Sequence, residues 1–304
     1  MRGPIKFRAS QNHLIVRQRR ITFILFSMPG IILYSLFFIY PVVMGIYYSM
    51  TDWDGIARNI HFIGFNNYVK IFTKSPRFQN SITFNLKYTV MYVACILTLG
   101  ITLALVLNHK VRGMTLFRAA FFLPAVLCGV TIGLIFGQLF YRVFPLFGQA
   151  LGIQALSTSI LGNKQTAIYG ILLVGVWKGL PMQTVLFLAG LQSIPEDLYE
   201  AAMIDGASSW NRFRYITFPF LIPVITVVFI LTMKQGLGVF DIIKALTDGG
   251  PARSTESLSF LIYADAFMNN KFSFAIAESV VVALILAAVS IFQVILQNRK
   301  KVTT

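Results

Sequence analysis

The stretch Leu191–Pro223 reads LQSIPEDLYEAAMIDGASSWNRFRYITFPFLIP. It gathers four of the chain's 11 acidic residues: Glu196, Asp197, Glu200 and Asp205. The chain as a whole carries a net charge of +15, so this is a local reversal of sign. Local rules give the stretch a shape. Ser193 reads as an N-cap, Glu196 three residues on completes a capping box, and Pro195 is tolerated in the first turn. A helix then runs to about Asp205. Gly206 stops it, because glycine reaches positive φ at little cost. A second short helix is expected to start at Ser208 or Ser209 and to end before Pro219. The product is a helix–Gly–helix elbow. Glu196, Asp197 and Glu200 form its acidic side, and Leu198, Ala201, Ala202 and Ile204 are its small and apolar contact points. On charge alone it is equally a solvated loop.

A second set of residues is chemical by misplacement. Trp177, Lys178, Gln183, Lys234, Gln235 and Glu278 interrupt long apolar stretches, with Gln138 and Asn85 as weaker cases. Polar groups at membrane depth mark solute or ion pathways, or else bond helix to helix. Lys234 has the further option of reaching out to the interface. Other chemistries find no support. No Gly-x-x-x-x-Gly-Lys-Ser/Thr phosphate loop is present, and Gly162-Asn163-Lys164-Gln165 is only superficially like one. His13, His61 and His109 are scattered, and Cys95 and Cys128 read as packed thiols inside spans, so no metal-ligand spacing arises. A membrane enzyme would need a nucleophile–His or paired-carboxylate site at depth, and none is seen.

The elements that hold these residues follow from composition. The chain has 304 residues, 56% of them hydrophobic and 12% charged, with a mean hydropathy of +0.71. Soluble domains are roughly 25% charged. This chain has too few polar residues to cover a water-facing surface, and its natural solvent is lipid. A span needs about 20 mostly apolar residues. Six segments qualify, near 21–49, 83–107, 117–140, 166–191, 219–240 and 272–296. The charge-free segment 143–163 is diluted by Gly, Gln, Ser and Thr. It is expected to be an outside loop with some interfacial helix. The segment 166–191 is taken as the fourth span despite Lys178 and Pro181. The first span is read as an uncleaved anchor.

Lys and Arg set the orientation. The two ends and the even-numbered loops hold 14 in 66 residues, against nine in 87 for the odd-numbered loops. The positive-inside rule then puts both termini in the cytoplasm, as an even number of spans requires. The bias rests mainly on the Arg17–Arg20 cluster and on Arg299–Lys301. The expected organisation is a basic N-terminus over 1–20, then a first span and outer loop over 21–80. A five-helix core follows over 81–296, containing the elbow loop 192–218, and a tail closes the chain over 297–304. The fold class is an all-α membrane protein of six transmembrane helices. The +15 charge is therefore mainly a topology signal, and nucleic acid as a partner fits the charge alone.

The elbow also carries a pattern. Glu200-Ala201-Ala202, three residues, Gly206, nine residues and Ile216-x-Phe218-Pro219 resemble the EAA motif of binding-protein-dependent ABC importer permeases, with Phe218 where Leu is usual. Asp205-Gly206-Ala207 and Phe213 resemble the carbohydrate-uptake form. Gly249-Gly250-Pro251, Ser254-Thr255, Ile262-Tyr263 and Ala266-Phe267 look like an outer loop of the same family. Pro29-Gly30, Tyr40-Pro41 and Phe65-Asn66-Asn67-Tyr68 are similar to the maltose and glycerol-phosphate type of subunit. The resemblance spans essentially the whole chain, in a compact version without a large outer insertion.

It implies the type I importer permease (MetI-like) fold and a chain that is not itself an enzyme. It also implies a second, related permease, two separate ATPase subunits that bind ATP and Mg, and an extracytoplasmic solute-binding protein. This chain would bind no cofactor. The elbow would be the coupling helix, with Glu196, Glu200, Ala201, Ala202, Asp205 and Gly206 meeting an ATPase. The outer loops 51–81 and 242–271 would receive the binding protein. Trp177, Lys178, Gln183, Lys234, Gln235, Tyr263 and Glu278 would be candidates for a carbohydrate path, aromatic rings stacking on sugar faces and amides bonding hydroxyls. Lys178 beside Pro181 has a structural reading as well. The alternative is an ion-coupled carrier of a small polar solute. That would call for repeated halves and midplane carboxylates, and only Glu278 lies well inside a span.

Overall fold

A computed structural model describes residues 19, 22–108, 114–154 and 157–301. His13, His109, Arg17 and Arg20 lie outside the described residues, as does most of the expected N-terminal segment. The described chain is helical apart from loops and one isolated bridge, Thr51 to Phe62. Six helices are long and apolar enough to cross a membrane. They are α1 (Thr22–Ser49), α3 (Pro76–Leu107), α5 (Gly129–Ala150), α6 (Ala167–Gln192), α8 (Ser209–Leu237) and the first part of α11 (Phe272–Lys301). Shorter helices complete the set: α2 (Asn66–Lys74), α4 (Met114–Val126), α7 (Glu196–Ile204), α9 (Asp241–Leu246) and α10 (Leu258–Met268).

The core is α3, α6 and α8, packed on one another. Apolar residues gain little by leaving lipid for protein, so close packing and polar ties hold such helices together. Gly175 and Gly179 on α6 show the packing part, because a Cβ at either would collide with the ring hydroxyl of Tyr88 or Tyr92 on α3. Asn85 shows the polar part. Its Nδ2 donates to the carbonyls of Gly236 (3.3 Å) and Leu237 (2.9 Å), and its Oδ1 accepts from the Leu258 amide (2.8 Å). One buried side chain thus ties α3 to the C-terminal carbonyls of α8 and to the start of α10. The helix α1 buries none of its apolar window and packs mainly on α11. Phe23, Phe26 and Phe37 on it face outward, as a lipid-facing helix requires.

Four expectations are corrected. The third span, read as 117–140, is not continuous. Its helix ends at Val126, Cys128 is extended (ψ 137°), and a new helix starts at Gly129. Cys128 is exposed rather than packed. The second half runs on through a π-turn at Leu139–Val143 to Ala150, so the helix within 143–163 occupies its first residues and continues the third span. Pro124 in the last turn of α4 cannot donate to the ladder, and Gly129 and Gly133 let α9 press against the new helix.

The second short helix of the elbow does not stop before Pro219. It starts at Ser209, with Ser208 Oγ accepting from the Asn211 amide (3.3 Å), and continues into the fifth span. A π-turn at Phe213–Thr217, closed by the Phe218 amide on the Phe213 carbonyl, precedes Pro219. The wider turn accommodates a residue that has no N–H to donate.

The capping box is also absent. Ser193 ends α6, its Oγ bonding the Gly190 carbonyl (2.8 Å), and the extended Pro195 is the residue before α7.

Candidate functional site

Two regions gather the predicted residues, a cavity beside the broken third span and the elbow. The cavity has a volume of about 460 Å³ and lies between α3, α6 and the α8–α9 junction. Tyr88 and Tyr92 stack along one wall, ring centroids 5.8 Å apart and planes 9° from parallel. They are one helical turn apart, so one face of α3 presents both. The Tyr92 hydroxyl donates to Gln235 Oε1 (3.1 Å). Lys178, near the middle of α6, and Asp241, the first residue of α9, supply the charges of the lining. Both reach Gly129 at the start of α5. A Cβ there would lie 2.6 Å from Lys178 Nζ and 3.3 Å from Asp241 Oδ2. Only glycine at the helix break leaves room for both.

Of the candidate path residues, Lys178 and Gln235 line this cavity. Trp177 points to the neighbouring helix, its ring 5.2 Å from Phe136. Gln183 is buried, with its Oε1 unpaired. Lys234 is exposed and Tyr263 packs on Phe240 (5.3 Å), with Lys244 Nζ 5.1 Å above its ring. Glu278 is fully buried, and neither oxygen has a hydrogen-bond partner. Gln138 is exposed, and Asn85 is the tie described above. Tyr88, Tyr92 and Asp241 were not anticipated. The i,i+4 tyrosine pair was a usable signal. The contribution of Asp241 depends on a fold-back after the fifth span that no local pattern announces.

The elbow is α7, a turn and the start of α8. Its turn is a Schellman motif: the Gly206 amide donates to the Met203 carbonyl (3.1 Å) and the Ala207 amide to the Ala202 carbonyl (2.9 Å), with Gly206 at φ +75°. Tyr199 anchors the helix, its hydroxyl 2.8 Å from Thr217 Oγ1. The other face is bare. Glu196, Asp197, Glu200, Ala201, Asp205 and Gly206 are exposed, and Ala202 is half-buried. Ile204 is 87% exposed beside Met203 and Trp210. The elbow thus exposes acidic and large apolar side chains together.

Arg77, at the start of α3, grips the segment that follows Gly249-Gly250-Pro251. It bonds Glu256 through Nε (3.1 Å) and Nη2 (2.8 Å), and Asp265 through Nη1 (2.7 Å). In the first loop, Asp52 accepts from the His61 backbone amide (2.9 Å), which holds its carboxyl below the usual carboxylate range.

Residues 96–302 match the family described as "Binding-protein-dependent transport system inner membrane component". The chain belongs to this family. This binding-protein-dependent permease is similar along most of its length to curated relatives. The "Multiple sugar-binding transport system permease protein MsmF" of Streptococcus mutans is 43% identical over 91% of this chain and 95% of that protein. The "Probable starch degradation products transport system permease protein AmyD" of Thermoanaerobacterium thermosulfurigenes is 34% identical over 91% and 94%. Among solved structures, a chain of a bacterial ABC transporter that imports the acidic polysaccharide alginate superposes with a TM-score of 0.80. It covers 94% of this chain and 98% of that one at 21% identity, a likeness of fold. The protein is accordingly a multi-pass inner-membrane permease subunit of an ABC importer, with the six-helix fold expected of it.

Proposed function

We propose that this permease carries a carbohydrate, an oligosaccharide in the first instance, through the cavity beside the broken third span. The observation that supports this most directly is the lining. Two stacked tyrosines offer flat apolar faces, and Gln235, Lys178 and Asp241 offer donors and acceptors, at membrane depth between helices. The names of the relatives agree, since they refer to multiple sugars, starch degradation products and trehalose/maltose.

In this reading both termini are cytoplasmic and the elbow docks on one of two separate ATPase subunits, which bind ATP and Mg. Glu200 meets a basic residue of that ATPase, Ala201 and Ala202 permit close approach, and Gly206 sets the bend. Closure of the ATPases then moves α6 and α8, which flank the elbow, as rigid bodies and switches the access of the cavity. A second, related permease faces this one. The outer loops receive a solute-binding protein; a related alginate transporter was solved with such a protein bound.

The test is uptake of labelled maltotriose by the complete transporter in proteoliposomes. Uptake should vanish when the partner ATPase is catalytically dead. Uptake that persists and follows an ion gradient would favour the secondary-carrier alternative and defeat this one.

A further inference from the structure

The cavity carries one positive and one negative side chain, Lys178 and Asp241, and its remaining polar lining is neutral. Their charged atoms approach the same point, 2.6 and 3.3 Å from where a Gly129 Cβ would stand. They are therefore closer together than the sum of those distances, yet the ion pairs found among the described residues do not include this one. A gap of that size admits one hydroxyl bonded to both. We propose that Lys178 and Asp241 bracket a substrate hydroxyl in this cavity and make the permease selective for uncharged over acidic sugars. The proposal rests on the reading of the cavity as the carbohydrate path.

The chemistry is specific. A hydroxyl accepts from the ammonium through a lone pair and donates its one proton to the carboxylate. An ionised carboxylate, as on a uronic acid, accepts from Lys178 but has no proton for Asp241. It would place two like charges in one site, which disfavours both. Gly129 is part of the device. A methyl group there would push the flexible end of Lys178 aside and crowd Asp241 at its Cβ (3.1 Å), with no backbone among its nearest atoms.

A native reporter stands next to the pair. Cys128 is exposed and immediately precedes Gly129, and the chain's only other thiol is Cys95. In the purified complete transporter with Cys95→Ser, Cys128 alkylation is followed by mass spectrometry of this chain. The probes are maltotriose and trigalacturonate. Maltotriose should slow labelling severalfold, and trigalacturonate should not. Asp241→Asn should weaken protection by maltotriose and improve protection by trigalacturonate by roughly tenfold, the effect of one unit charge a few ångströms away at a water-accessible site. Gly129→Ala should weaken maltotriose protection with the fold retained.

Protection by maltotriose with a preference that Asp241→Asn leaves unmoved would overturn the pairing and leave the path reading intact. Protection of the wild type by neither sugar would overturn both. Stronger protection by trigalacturonate in the wild type would overturn the selectivity outright.

Discussion

Gly206 sets the turn of the elbow, and its substitution gives a graded test of the coupling role proposed for it. Its φ of +75° is unfavourable for a residue with a side chain, but nothing lies within 4 Å of a Cβ built there. Gly206→Ala therefore meets strain without a clash, a cost of about 1–2 kcal/mol for a left-handed residue. Gly206→Pro is of another kind. It removes the amide that bonds the Met203 carbonyl and demands φ near roughly −65°, a loss of about 3 kcal/mol or more at the turn. The nine residues of α7 are fixed to the body by the Tyr199–Thr217 bond and a few apolar contacts, so they cannot hold their direction against that penalty. The remainder of the fold does not depend on this exposed turn, and insertion and thermal unfolding should change little. Paired measurements of ATP hydrolysis and sugar uptake by the complete transporter read the outcome. Alanine should lower uptake per ATP partially; proline should abolish uptake while hydrolysis continues. Coupled uptake at the wild-type ratio in the proline variant would refute this account of the elbow.

Three further outcomes are expected. Arg77→Met removes the cation that bonds both Glu256 and Asp265, two almost wholly buried carboxylates, and leaves Glu256 only the long contact to Arg253 (4.0 Å). It should destabilise the protein by about 3 kcal/mol or more, read as a lower unfolding temperature in detergent. Asn85→Ala strands the Leu258 amide, takes a donor from the Leu237 carbonyl and leaves the Gly236 carbonyl only the Val239 amide (3.4 Å), and it opens a small void; a loss of about 2–4 kcal/mol in the same assay is expected, and an unchanged midpoint would show that water replaces the amide. Asp52 has a lowered pKa, chiefly from the His61 amide bond, so its contribution to the loop 51–62 is present above the unfolded value of 3.8 and fades as pH falls through the folded one. Proteolysis within 51–62 should rise on acidification in the wild type and rise less in Asp52→Ala, where Asp54, held low by the Ala57 and Ile56 amides, still titrates with the loop.

The one-dimensional features of this protein were fixed by composition and spacing. Six spans follow from the thickness of a bilayer, and the fourth, Ala167–Gln192, agrees with its expected limits within a residue because its apolar density outweighs Lys178 and Pro181. The Gly206 turn and the start of α8 at Ser209 were legible for the same reason, since each depends on a few neighbouring residues. Helix continuity was not. The break at Cys128 and the passage of α8 through Pro219 depend on what packs alongside and on π-turns that redistribute hydrogen bonds, neither of which has a local signature.

The cavity separates the two kinds of information most clearly. Residue types marked Lys178 and Gln235 as out of place in lipid. Only the fold-back of α9 onto the start of α5 brings Asp241 to Lys178, and only the packing of α3 on α6 turns Tyr88 and Tyr92 into a wall. Tertiary structure also divided the remaining polar residues. It buried Glu278 away from the cavity and assigned Asn85 to hold helices together. A sequence records which side chains lipid would reject. Which of them meet one another is decided by contacts between residues far apart in the chain.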